Sequence, residues 1–148
     1  MKKIYILIIL FFISILPLRS IEVGLILGNI NESTGLCYGV SVGSAMLIPL
    51  VKFEFEYYRL PDSEYKAITT GLKIKPRLGD FSPYAVMGIG TDFIKFNLVL
   101  SDYKRFAFYG GGLYYYFLKM VSVRIDLRIM NYSDISKTRI TGGLYINI

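Results

Sequence analysis

Three short stretches carry acids and bases at every second position. Lys52, Glu54 and Glu56 alternate within VKFEFEYYRL, and Arg124, Asp126 and Arg128 alternate within VSVRIDLRI. Lys73, Lys75 and Arg77 repeat the spacing, and Lys137 and Arg139 repeat it again near the end of the chain. In an extended segment successive side chains point to opposite faces, so each set shares one face. The residues between them are Phe53, Phe55, Val123, Ile125, Leu127, Leu72 and Ile74. Carboxylates and cations gathered on one face suit ion pairing rather than catalysis. The chain has no histidine, which removes the commonest general base and the commonest metal ligand. Ser101–Asp102 and Ser133–Asp134 are adjacent pairs in polar links, a position where Ser and Asp form turns. Cys37, the single cysteine, has no partner for an internal disulfide, and its small neighbours suit a space-filling role.

The elements that carry these faces are extended. Eight segments are expected: 21–30, 35–47, 51–60, 65–78, 82–93, 105–117, 121–130 and 137–148. In the first, Ile21, Val23, Leu25 and Leu27 oppose Glu22, Gly24 and Gly28, with Ile26 an exception. In the second, Leu36, Tyr38, Val40, Val42 and Met46 oppose a row of Gly, Ser, Ala and Cys37, which suits a narrow, crowded interior. The facing of the fifth and sixth segments stays open. Links 31–34, 61–64, 94–104 and 131–136 are polar and variable; 48–50, 79–80 and 118–120 are short turns.

Strands of about 10 to 14 residues exceed the usual 5–6 of soluble sheets and match the 9–11 of a tilted membrane strand. An even count with alternating long and short links is the pattern of an outer-membrane barrel. The fold expected is therefore all-β: an eight-stranded antiparallel up-and-down transmembrane β-barrel spanning 21–148, greasy face outward. Tyr57, Tyr58, Tyr65, Phe81, Tyr84, Phe93, Tyr103, Tyr132 and Tyr145 fall near strand ends and are candidates for an interfacial aromatic girdle. A secreted β-sandwich, apolar face in the core, is the alternative.

With apolar rows outward, Lys52, Glu54, Glu56, Lys73, Lys75, Arg77, Arg124, Asp126, Arg128, Lys137 and Arg139 line the lumen. An eight-stranded barrel is just wide enough for side chains to fill, and unpaired buried charge costs several kcal/mol. A network is expected in which Glu54, Glu56 and Asp126 are shared among Arg124, Arg128, Lys73 and Lys75.

The first 20 residues read as a secretory signal: Lys2 and Lys3, a run from Ile4 to Leu16 dominated by apolar residues, Pro17, and Ser20 near the cleavage point. A membrane-helix anchor is the alternative, although the run falls short of the ~20 apolar residues a bilayer needs. Removing that leader takes Lys2, Lys3 and Arg19 from 17 basic residues, leaving 14 against 11 acidic ones. Those remaining are spread over strands and turns, so nucleic acid is no expected partner. No phosphate loop, metal cluster or redox motif occurs, and no cofactor is expected; the glycines at Gly88–Gly90 and Gly110–Gly112 precede no helix.

SPYAVMGIG at 82–90, the Gly-rich FYGGGLYYYF, VSVRIDLRI and the closing TGGLYINI together resemble the outer-membrane protein β-barrel domain family, the small eight-stranded opacity-protein and OmpX-like barrels. That resemblance implies an outer-membrane location, lipid as the surrounding partner, and a surface-exposed, structural or host-interacting role rather than a reaction. A small porin-like pore is the alternative. The C-terminus resembles the signal read by the barrel-assembly machinery, with Thr141, Gly143, Ile146 and Ile148 as its positions, although the family usually closes on Phe.

Overall fold

Alternation of apolar and polar residues produces eight antiparallel strands: β1 (Ile21–Ile30), β2 (Leu36–Ala45), β3 (Val51–Leu60), β4 (Tyr65–Ile74), β5 (Phe81–Phe93), β6 (Lys104–Tyr116), β7 (Val121–Asn131) and β8 (Ser136–Asn147). The computed structural model describes residues 20–31, 35–45, 49–61, 65–93 and 103–148. Residues 1–19, on which the expected secretory signal falls, the Ser101–Asp102 pair and parts of four links lie outside them. Each strand pairs with its sequence neighbour, and β8 returns to β1, closing a barrel with no free edge. Closure satisfies every strand's backbone groups from within the sheet, which is what hydrocarbon demands of a spanning β structure. Among the described residues no helix is long and apolar enough to cross a membrane.

The stagger can be followed residue by residue. Ile21 pairs with Ser44, then the ladder passes through Phe53, Leu72, Met87, Tyr109, Ile129 and Thr138. Thr138 then bonds Asn31, whose amide donates to the Thr138 carbonyl at 2.9 Å. One circuit thus advances from Ile21 to Asn31 along β1, a shear of ten residues. An eight-stranded barrel with that stagger tilts its strands by roughly 40°.

Outward positions are apolar over most of the barrel height. Leu25, Leu27, Leu72, Met87, Ile89, Ile125, Ile140 and Leu144 are all exposed, while Glu54, Glu56, Lys73, Arg124, Asp126, Arg128 and Arg139 are buried. The sequence left β5 and β6 unresolved. In the fold Tyr84 and Val86 point in and Ala85 and Met87 out, and Phe106, Phe108, Tyr114 and Tyr116 point in. Glycines at 110–112 had hidden that periodicity.

β4 is shorter than expected. It ends at Ile74 rather than residue 78, because Pro76 has no N–H to give the ladder. The β4–β5 link therefore runs from 75 to 80, with Gly79 at φ +66°, and a single Leu78–Phe81 bridge closes it. The contrast in length between links at the two ends is weaker than the sequence suggests.

Small radius requires close backbone approach at inward glycines. A Cβ at Gly112 would lie 2.0 Å from the Ile125 carbonyl oxygen and 2.8 Å from the Tyr84 hydroxyl. Gly112→Ala is expected to cost about 3 kcal/mol, since neither a ladder carbonyl nor the Tyr84 ring has room to retreat. Gly142→Ala, with its nearest contact at 3.8 Å, should stay within about 0.5 kcal/mol of wild type. Urea midpoints of the detergent-folded protein compare the two, and equal midpoints would contradict the close approach at Gly112.

Candidate functional site: a charge-packed lumen

β3 stands across the barrel from β7 and β8, and the inward residues of these strands meet at mid-height. The Arg124 guanidinium donates through Nη1 to Glu54 Oε2 at 2.7 Å and through Nη2 to Glu56 Oε1 at 2.7 Å. Arg128 Nη2 reaches Glu54 Oε1 at 2.6 Å and Glu56 Oε1 at 3.0 Å. Arg139 Nη2 donates to Glu56 Oε2 at 2.7 Å and Asp126 Oδ2 at 3.1 Å. Lys73 adds a bond to Glu54. Three carboxylates are thereby shared among four cations, one cation in excess, and the bonds fasten opposite walls to each other.

Tyrosines complete the coordination. Tyr84 donates its hydroxyl to Asp126, Lys73 Nζ donates to the Tyr114 hydroxyl at 2.9 Å, and Thr141 Oγ1 donates to Asp126 Oδ2 at 3.3 Å. The Tyr114 ring contacts those of Tyr84 and Tyr145, with centroids 5.3 Å apart in both pairs. Arg124 lies 4.7 Å from the Tyr145 centroid, Arg139 4.6 Å from Tyr58 and Arg128 5.1 Å from Phe108. Each arginine thus has carboxylates at its edge and an aromatic face beside its plane, the arrangement its planar, weakly hydrated head favours.

A second tier sits nearer the chain termini. Lys52 Nζ donates to Glu22 Oε1 at 2.5 Å and to Ser20 Oγ at 3.3 Å. Lys75 also bonds Glu22, and donates to the Tyr116 hydroxyl at 2.8 Å. At the opposite, loop-side end the lumen is sealed by Tyr58, Phe106, Phe108, Met130, Ile30, Leu60 and Cys37, all buried. Tyr65 and Tyr132 close over this plug, their hydroxyls 2.7 Å apart.

The placement differs from the expected network in specific ways. Lys75 does not share the central carboxylates. It sits two residues, about 7 Å, beyond Lys73, just past the end of β4, and falls in the Glu22 tier. Arg139 takes its place among the central cations. Arg77 does not line the lumen: beyond Pro76 it is an exposed turn residue, donating to the Gly79 carbonyl at 3.4 Å with its guanidinium 4.6 Å from the Tyr116 centroid. Lys137 is half-buried at the loop end, over the Tyr65 and Tyr132 rings. Five girdle candidates face inward: Tyr58, Tyr84 and Tyr145 are buried in the barrel and Tyr65 and Tyr132 pack over its plug, because their parity matches that of the charges. Glu22, Tyr114 and Tyr116 are partners that the network expectation did not include. The signal for Glu22 was its parity with Gly24 and Gly28; for the tyrosines it was their two-residue spacing on β6.

The C-terminal positions divide by the same parity. Thr141 and Gly143 face the lumen, Gly143 lying against the Tyr145 ring, while Ile146 and Ile148 are exposed outside.

Chemically, this interior is a set of ions and phenols bonded to one another, with cations in excess of carboxylates in both tiers. Among the described residues no group of three or more Cys, Asp or Glu side chains is placed to hold a metal ion.

No protein-family model matches the chain, and no curated protein sequence matches it significantly. Solved structures do match in shape. The N-terminal β-barrel domain of Pseudomonas aeruginosa OprF has a TM-score of 0.72 at 19% identity, over 88% of this chain and 98% of that one. A de novo designed transmembrane β-barrel has 0.69 at 12%, over 87% and 95%. The outer-membrane enzyme PagL has 0.57 at 12%, over 84% and 98%. One architecture thus serves a bacterial domain, a design and an enzyme, and shape alone names no activity. The chain has the fold of the small eight-stranded outer-membrane barrels.

Proposed function

We propose that the protein is an integral outer-membrane barrel whose lumen is a closed ionic plug, and that it acts through its presence in the membrane and its loop-side surface rather than through catalysis or conduction. The observation that carries this reading is the inverted distribution of side chains. A soluble sandwich buries its apolar rows. Here Leu25, Met87, Ile89 and Ile125 are each about two-thirds exposed, whereas Arg124, Arg128, Arg139 and Glu56 are 1% exposed or less. Bare aliphatic rows around a whole barrel suit hydrocarbon, and soluble monomers rarely expose apolar surface on this scale.

Against conduction stand the crossing bonds between β3 and β7–β8, which occupy the middle of a lumen that side chains are just able to fill. Against a Ser–His hydrolase stands the lack of histidine, and Ser133 and Asp134 sit exposed in the β7–β8 link. Reconstitution tests the reading. The folded protein is expected to float with lipid vesicles, to migrate differently on gels before and after boiling, and to leave the vesicles ion-tight. A monomer that stays folded in buffer without detergent, or vesicles that leak in proportion to folded protein, would overturn it.

A further inference from the structure

The outward face of the barrel is not uniformly apolar. Alternation assigns Arg59 to the outside of β3, Lys66 to the outside of β4 and Arg105 to the outside of β6. Among the described strand residues these are the only outward charges. All three are basic, and each stands one residue from the loop end of its strand. The opposite rim carries Val51, Ile74, Phe81, Tyr115 and Val121 at its outward strand positions, and its exposed cations, Arg77 and Lys119, lie in the turns. The acids on the described strands, Glu22, Glu54, Glu56, Asp92 and Asp126, are all turned inward, so none shares the outward strand face with these cations.

Arg59 and Lys66 are direct cross-strand partners. Like charges so paired repel, and a sheet gains by separating them. No ion pair among the described residues offsets the repulsion for any of the three. Arg59 is also held in place, its guanidinium 5.4 Å from the centroid of Tyr38, its partner on β2. Arg105 pairs with Thr91 on β5, two residues from Phe93, which in turn faces Lys66. The three cations therefore form an arc over β3, β4 and β6 that crosses the intervening β5 at Thr91 and Phe93.

We propose that this arc is a binding site for the phosphate headgroup of a membrane lipid on the loop side. The inference rests on the membrane reading above and adds to it a lipid class and a side. A phosphate supplies several strong acceptors and up to two negative charges. An arginine fork and a lysine point charge on directly paired residues match it, and its charge removes the Arg59–Lys66 repulsion. Acyl chains beneath such a headgroup would lie on the exposed Tyr38, Phe55 and Leu72.

The test uses the full chain reconstituted in phosphatidylcholine vesicles containing a minority of phosphatidic acid, then extracted into non-ionic detergent, with the co-purifying lipids counted by native mass spectrometry. Wild type is expected to retain phosphatidic acid well above its share of the vesicle. Arg59→Gln/Lys66→Gln should lower that enrichment by roughly fivefold per cation removed. Arg77→Gln/Lys119→Gln, which removes two cations from the other end, should leave it nearly unchanged. Equal enrichment in wild type and Arg59→Gln/Lys66→Gln, or equal loss in both double variants, would overturn the site while leaving the membrane reading intact. Failure of wild type to enter vesicles would overturn both.

Discussion

Glu56→Gln should cost about 3–5 kcal/mol of unfolding free energy, the range for removing one partner of a buried ion pair. Glu56 accepts from Arg124, Arg128 and Arg139. An amide in its place offers one acceptor, and turns an N–H₂ donor toward a guanidinium that is itself only a donor. The central cluster already holds four cations against three carboxylates, and the substitution would leave four against two. The charge count makes the opposite change mild. Lys73→Met brings the cluster into balance and leaves Glu54 bonded to Arg124 and Arg128. The methionine would pack where the lysine already lies, against the Tyr84 and Tyr114 rings at 4.9 and 5.1 Å. A change within about 1 kcal/mol is expected there. The chain has no tryptophan, so urea unfolding in detergent is best followed by far-ultraviolet circular dichroism and by mobility on unboiled gels. If both substitutions cost the same, charge balance does not govern the lumen. A cycle combining Glu56→Gln with Arg139→Met should show a coupling of about 1–3 kcal/mol, because each group is the other's partner at 2.7 Å.

Sequence pattern carried the architecture because a closed barrel imposes one rule everywhere. Each strand with intact alternation, such as β3 or β7, declares its inner and outer face without reference to any neighbour. What pattern could not supply was height. Tilt and a ten-residue stagger decide which inward residues share a level, and these are properties of the closed sheet rather than of any segment. Lys73 and Lys75 read alike along the segment expected at 65–78, yet one meets Glu54 and the other Glu22. Arg77 continued the same alternation on paper, but Pro76 had ended the strand. Tyrosine was ambiguous for a different reason. Its ring suits an interfacial girdle and its hydroxyl suits a buried cation, so composition could not separate Tyr57, half-buried on the outside, from Tyr58, fully buried within. Stretch by stretch the glycines hid periodicity in β6, where a side chain would have revealed it.

The order of the tiers has a mechanical consequence for closure of the barrel. Deleting Leu144–Ile148 should abolish the folded form outright. The segment supplies the final rungs of two ladders, Leu144 and Ile146 pairing with Leu25 and Val23 of β1 and with Val123 and Val121 of β7. Ile148 exchanges backbone bonds with Ile21 at 2.8 and 2.9 Å, and Asn147 donates to Met120 at 2.7 Å. In hydrocarbon each backbone group left without a partner costs several kcal/mol, and the deletion opens a row of them on both flanking strands. Tyr145 leaves as well, taking the ring that lies against Arg124 and Tyr114. No heat-modifiable species should survive, in cells or on refolding into detergent. That loss by itself would not separate structure from recognition by the assembly machinery. Ile146→Thr/Ile148→Thr does so, since it keeps every backbone bond and changes only side chains that point outward. It should refold in detergent much as wild type does, while assembling poorly in cells if these positions are read as a signal. Wild-type assembly of that variant in cells would leave the C-terminal strand with a structural role alone.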